Sequence, residues 1–105
     1  MNEADLRTHL DTNHGYTAVV FSATWCGPCR AFAKILQEHT QTAPNGSPRV
    51  VKLDIDECTQ LCEDVAINVV PTVVVFKGSK IVARNEGGFP TAKLFAEFLA
   101  NSTAK

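Results

Sequence analysis

Leu6 and Leu10 stand four apart in a polar opening segment after Asn2, the spacing of a short amphipathic helix that ends near Asn13-His14-Gly15. Ala18-Val19-Val20-Phe21 is apolar without alternation, which predicts a strand buried on both faces. Cys29, Phe32, Ile35, Leu36 and His39 then recur at helical spacing through about residue 42. Pro28 falls in the first turn of that helix, where a missing N–H costs nothing. Pro44-Asn45-Gly46-Ser47-Pro48 is a loop by every turn signal. Val50-Val51-Lys52-Leu53-Asp54-Ile55 reads as a second strand, and Asp56 as the cap of a helix carrying Cys58, Leu61, Cys62 and Val65 on one face. Pro71 opens a third strand, Thr72–Phe76, which turns at Lys77-Gly78-Ser79 and returns along Lys80–Ala83. Gly87-Gly88 breaks the hairpin, and Leu94, Phe95, Phe98 and Leu99 form the apolar stripe of a last helix.

Strands that alternate with helices and finish in a hairpin predict an α/β fold, a βαβ unit followed by ββα after an N-terminal helix. Helices should then cover both faces of the sheet. The chain has 105 residues and no repeat, low-complexity tract or linker, so one domain over residues 1–105 is expected. Its 45% hydrophobic and 20% charged residues are ordinary for a globular domain. Ten basic against eleven acidic residues leave a net charge of -1, without the dense basic patch of a nucleic-acid binder. No stretch approaches the roughly 18 apolar residues of a membrane span. The opening Met1-Asn2-Glu3-Ala4-Asp5 is acidic and has the features of neither a secretory signal nor a transit peptide, so a cytoplasmic location is expected.

Cys26 and Cys29 are separated by two residues, directly after a buried strand and at the mouth of a helix. Thiol–disulfide exchange needs a thiolate, and an ordinary cysteine with a pKa of about 8.5 is mostly protonated at neutral pH. Unpaired N–H groups and the dipole at a helix N-terminus favour the anion. Cys26 takes that exposed first position and is the expected nucleophile toward a substrate disulfide. Cys29, one turn in on the apolar face, is expected to resolve the mixed disulfide. Gly27 permits close approach of a substrate backbone, Pro28 stiffens the turn, and Trp25 offers a flat apolar wall beside the thiol. A Cys-x-x-Cys pair is also half of a zinc site, which needs two further ligands. Cys58 and Cys62 supply only a Cys-x-x-x-Cys pair on a helix face, a poor zinc knuckle. Neither a metal nor a bound cofactor is expected.

Phe21-Ser22-Ala23-Thr24-Trp25-Cys26-Gly27-Pro28-Cys29 resembles the active-site strand and turn of the thioredoxins nearly residue for residue. Val70-Pro71-Thr72 resembles the family's cis-proline segment, and Asp54-Ile55-Asp56 and Gly87-Gly88 fall where thioredoxins carry similar residues. The resemblance implies a thioredoxin fold, Cys26 as nucleophile, Cys29 as resolving thiol and a cis bond before Pro71. It implies that the Val70 backbone faces the dithiol and pairs with an extended substrate segment, on a surface shared with Trp25 and Gly88. It also implies disulfide-containing protein substrates, and an NADPH-dependent flavoprotein thioredoxin reductase as electron donor. An oxidase or isomerase domain is the alternative within this chemistry. Outside it, the alternative is a docking module in which redox is incidental.

The chain departs from the family pattern in three places. Thioredoxins usually carry a buried aspartate six residues before the first cysteine, where Val20 stands here. Its absence should lower the Cys26 pKa, stabilise the fold and slow resolution, with water as the base for Cys29. Lys34 replaces a proline that kinks the active-site helix, so a straighter helix is expected. The N-terminus leaves no room for the usual opening strand. About four strands are therefore expected, with Val50–Ile55 as an exposed edge. Edge strands invite pairing, so a dimer is the alternative to an expected monomer.

Cys58 and Cys62 are expected to be buried structural thiols, with a regulatory thiol or second disulfide as the alternative. A bridge between them is not expected, because an i,i+4 link inside a regular helix has awkward geometry. His9, His14 and His39 are expected to face solvent, and none lies near the dithiol in sequence, which disfavours a Cys–His hydrolase. Lys52 is expected to be a surface lysine, with an approach to the space behind the dithiol as the alternative. Arg30 either adds positive potential near the thiolate or faces solvent.

Overall fold

The structure, a computed structural model, describes residues 2–103. Helix α1 (Glu3–Thr12) opens the chain, with the Asn2 side chain accepting the Asp5 N–H at its N-cap. It leads into strand β1 (Tyr16–Ser22), helix α2 (Gly27–Thr42) and strand β2 (Arg49–Asp54). A 3-10 turn (Ile55–Glu57) and helix α3 (Thr59–Val65) follow, then strands β3 (Thr72–Lys77) and β4 (Lys80–Glu86) and helix α4 (Ala92–Ser102). The expected elements are all present. β2 stops before Ile55, β4 runs three residues past Ala83, and α2 is unbroken through the exposed Lys34. No helix among the described residues is long and apolar enough to cross a membrane.

The four strands form one mixed sheet in the order β2-β1-β3-β4, with β2 at an edge. β1 pairs parallel with β2, setting Val20 opposite Lys52 and Ser22 opposite Asp54. It pairs antiparallel with β3 on its other side, which places its apolar run in the centre of the sheet. Alternate residues divide between two cores. Val19, Phe21, Leu53, Val74 and Phe76 meet Leu6 and Leu10 of α1 and Leu61 and Val65 of α3. Ala18, Val20, Val73 and Val75 meet Phe32 of α2 and Phe95 and Leu99 of α4 on the opposite face. Each large side chain so buried contributes about 1.5–3 kcal/mol, and the two layers clamp β1 beneath the start of α2.

Three expectations are corrected. His39 faces inward, only 4% exposed, with its ring edge-on to Phe95 at 4.9 Å. His9 is half-buried against the Thr17 hydroxyl at 3.1 Å, which leaves only His14 in solvent. Leu94 does not join the last apolar stripe: it is 44% exposed, while Phe95 and Leu99 carry the packing. The cap expected of Asp56 belongs to Asp54, whose carboxylate accepts the Asp56 N–H and starts the 3-10 turn. Helix α3 therefore begins later, with Cys58 as its N-cap.

Candidate active site

β1 ends at Ser22, and Ala23-Thr24-Trp25 carries the chain over the sheet edge into α2. Cys26 is the N-cap residue of α2 in extended backbone conformation, followed by Gly27 and then Pro28 in the first turn. Its Sγ accepts the Cys29 N–H at 3.2 Å, so the sulfur takes the place a capping oxygen would fill. Cys26 and Cys29 are joined as a disulfide with their Cα atoms 5.2 Å apart. A thiolate at the same position would face unpaired N–H groups and the positive end of a helix dipole.

Cys26 was expected to be exposed. It is 6% exposed against 3% for Cys29, because Ala23, Ile55 and Val70 pack around the pair. The difference in access between the two sulfurs is a small margin. Trp25 is 65% exposed beside them, and a Cβ added at Gly27 would meet nothing within 4 Å, leaving room for an incoming chain.

Val70 reaches the dithiol from the loop after α3. The Val70–Pro71 peptide bond is cis, and the Val70 carbonyl oxygen lies 3.8 Å from Cys26 Sγ. That loop is fastened at one end by β4 and at the other by the residue that follows it. Arg84 donates to the Val65 carbonyl at 2.6 Å and to the Ala66 carbonyl, and the Gly87 N–H donates to the Pro71 carbonyl at 2.8 Å. Gly88 closes the same corner at φ +75°, where an added Cβ would stand 3.1 Å from Pro71 Cγ and 3.2 Å from Phe32 Cγ. Only a glycine admits both that backbone angle and that approach.

Two depressions flank the disulfide. A groove of about 410 Å³ runs between Trp25, Ile55, Cys62 and the Ile67–Val70 loop. A cleft of about 340 Å³ on the other side is lined by Cys29, Ser22, Arg30, Lys52, Asp54 and Glu57. Lys52 is exposed, as expected of a surface lysine, and also lines the cleft with Cys29. Arg30 donates to the Thr24 carbonyl at 3.4 Å along its rim. Sequence reasoning missed Ile55, Ile67, Asn68 and Val69 on the groove side, and Asp54 and Glu57 on the cleft side. Val69, next to the Val70-Pro71 step in the sequence, is 46% exposed on the groove. Val20 lies 1% exposed beneath α2, packed with Phe32 and Val73, and its register neighbour is Lys52.

Two thiols held as a disulfide at a helix N-terminus, beneath an open apolar groove, exchange electrons with other disulfides by thiolate attack. The structure is therefore that of a thiol–disulfide oxidoreductase. The family model for thioredoxin matches residues 1–100, and the chain belongs to the thioredoxin family. It is 38% identical over 81 residues to a thioredoxin of Rhodospirillum rubrum, covering 77% of each chain. It is 36% identical over 100 residues to Thioredoxin-2 of Pyricularia oryzae, covering 95% of this chain and 56% of that longer relative. The crystal structure of a chloroplastic thioredoxin z superposes with a TM-score of 0.83 at 29% identity, covering all of this chain and 93% of the other.

Proposed function

We propose that this chain, as one domain over residues 1–105, is a thioredoxin that reduces protein disulfides. Cys26 is the nucleophile and Cys29 the resolving thiol. Trp25, Gly27, Pro28, Val70, Pro71 and Gly88 form the surface that seats an extended substrate segment. The observation that carries this reading is the Val70 carbonyl 3.8 Å from Cys26 Sγ, because a strand laid along that backbone brings its own disulfide to the nucleophile.

In the reduced protein the Cys26 thiolate attacks one sulfur of a substrate disulfide, forming a mixed disulfide and releasing the other sulfur as a thiolate. Cys29 loses its proton and attacks Cys26 Sγ. The second substrate sulfur leaves, and the Cys26–Cys29 disulfide remains. The substrate gains two electrons from the protein, and its two sulfurs take up the proton that Cys29 loses and one from solvent, where the Cys26 proton had gone. Val20 puts no carboxylate beneath Cys29, so its proton leaves through the cleft that holds Lys52, Asp54 and Glu57. A flavoprotein thioredoxin reductase using NADPH returns the electrons, and the protein works as a monomer in the cytoplasm without a bound cofactor.

Insulin-disulfide reduction with NADPH and a thioredoxin reductase tests this directly. Cys26→Ser should abolish turnover, and Cys29→Ser should accumulate a covalent mixed disulfide with the substrate. Full turnover by Cys26→Ser overturns the assignment. A cellular role that survives the double substitution Cys26→Ser, Cys29→Ser makes the chain a docking module instead.

A further inference from the structure

One wall of the groove beside Cys26 is the Ile67–Val70 loop, and its two ends are held by different means. At the strand end the Gly87 N–H donates to the Pro71 carbonyl at 2.8 Å, and the Thr72 hydroxyl donates to the Val69 carbonyl at 2.7 Å. At the helix end, α3 stops at Val65 and Ala66 turns the chain away at φ 57° and ψ 54°. That is the left-handed region, which a residue with a Cβ enters only at a cost.

Four carbonyls meet at this turn. Those of Cys62 and Glu63 accept the Ile67 and Ala66 N–H groups at 2.8 and 3.1 Å. Those of Val65 and Ala66 accept from Arg84, through Nη1 at 2.6 Å and through Nη2. Arg84 stands opposite Val74 in the β3–β4 register, on the face of the sheet that α3 covers. Its planar fork fixes both the place and the direction of the two carbonyls, and its charge complements the negative end of the helix dipole. Glu86 lies 3.5 Å from the same Nη2. The body of α3 is anchored separately by α1, where the Glu3 carboxylate accepts the Leu61 N–H at 3.1 Å and Arg7 pairs with Asp64 at 2.6 Å.

We propose that Arg84 is a positioning residue for substrate docking: it sets where the Ile67–Val70 wall stands, and so how tightly the groove grips an extended protein segment. Arg84 lines neither the groove nor the cleft, so it acts through the loop rather than on the substrate. Val70, whose carbonyl approaches Cys26, lies at the strand end beside the Pro71 bond to Gly87. Loss of Arg84 therefore loosens Ile67 and Asn68 first and leaves the surroundings of the nucleophile in place. Binding suffers and attack does not. A groove whose wall stands correctly for only a fraction of the time binds with an affinity lowered by that fraction, so a wall in place about a tenth of the time raises KM about tenfold.

The inference rests on the groove as the substrate seat, and its test separates the two. Arg84→Met keeps an apolar stem and removes both donors. In insulin reduction with the reductase in excess, KM should rise about tenfold with kcat near the native value. The rate with a small aromatic disulfide, which needs no groove, should stay the same. Arg84→Lys, a single ammonium in place of the fork, should raise KM only about threefold. Amide hydrogen exchange in Arg84→Met should quicken at Ala66 and Ile67 while β1 and β3 keep their protection.

An unchanged KM in folded Arg84→Met overturns the proposal. A fall of kcat and of the small-disulfide rate in parallel with the melting temperature also overturns it, since that pattern belongs to a purely structural residue. If Arg84→Met does not fold, the same split in Arg84→Lys decides. Trp25→Ala scores the groove itself. An unchanged KM in that variant strikes the parent reading, whereas a raised KM there with none in Arg84→Met strikes only the role of Arg84.

Discussion

On the Cys26 flank of the dithiol stands an apolar groove, walled by Trp25, Ile55, Cys62 and the loop that ends in the cis Val70–Pro71 bond. On the Cys29 flank stands a polar cleft holding Lys52, Asp54, Glu57 and Arg30. The same two flanks also differ in what holds them. The groove loop is tied by Arg84 of β4 and by Gly87 just after it, whereas the cleft is set by the parallel register of β1 and β2. Attack needs a dry surface that aligns a substrate chain, and resolution needs a route for one proton. If Cys26 attacks and Cys29 resolves, as proposed, the two flanks are suited to those separate tasks. Val20 accentuates the contrast. An acid buried there beneath α2 should couple the two titrations, whereas Asp54 and Glu57, the carboxylates that line a cleft with Cys29, lie in the open.

Replacing Val20 with aspartate should have the largest effect, because it places an acid in the core beneath α2, the helix whose N-terminus carries the sulfurs. Val20→Asp should raise the Cys26 pKa through a like charge nearby, read as a shift in the ultraviolet absorbance of the thiolate. It should also destabilise the fold by about 1–3 kcal/mol in urea melts, with Lys52 next in register to limit the loss. Burial raises the new carboxyl above the unfolded value of about 3.9, so the folded protein holds a proton that the unfolded chain has released. The deficit should therefore grow as pH rises through that window and fade in acid. A Cys26 titration that does not move means the two flanks are insulated even from a buried charge.

Charge in the cleft comes next in size. Glu57→Gln with Lys52→Met should slow release of substrate from the mixed disulfide by about tenfold and leave the attack rate near its native value. Stopped-flow tryptophan fluorescence, with Trp25 as reporter, separates the two steps. Equal slowing of both steps would show that the cleft serves attack as well, and the division of labour would fall.

The sequence made one half of this contrast legible and hid the other. The unbroken apolar run of β1, Pro28 in the first turn of α2 and the Cys-x-x-Cys spacing are local signals, and each survived folding intact. The flanks are not local. The cleft exists because β2 pairs in parallel with β1, setting Lys52 and Asp54 opposite Val20 and Ser22, and nothing within either strand announces that register. The groove brings Trp25 together with residues more than forty positions later, through a loop whose course depends on Arg84. Cys58 was misplaced for a different reason. Asp54 and Asp56 are equally good caps by type, and choosing the second put Cys58 inside the helix rather than at its start. His39 was legible and was overruled. Its spacing from Phe32, Ile35 and Leu36 pointed inward, while its polarity suggested solvent.

That histidine gives the smallest effect and a control for the others, since it lies at the far end of α2 from both flanks. Burial against Phe95 lowers the His39 pKa below its ordinary value, and Nε2 meets no hydrogen-bond partner among the described residues. A proton there is bound more tightly by the unfolded chain than by the folded one. Stability from the neutral ring is therefore complete above about 6.5 and declines as pH falls through the lower folded value. Urea midpoints should drop between about pH 7 and pH 5, and His39→Leu should flatten part of that slope. The Cys26 titration and the rates of attack and resolution should not change in the variant, because no charge is added near either sulfur. If His39→Leu moved the Cys26 titration as well, α2 would be transmitting changes along its length. The contrast between the flanks would then belong to the helix as a whole rather than to the residues beside each sulfur.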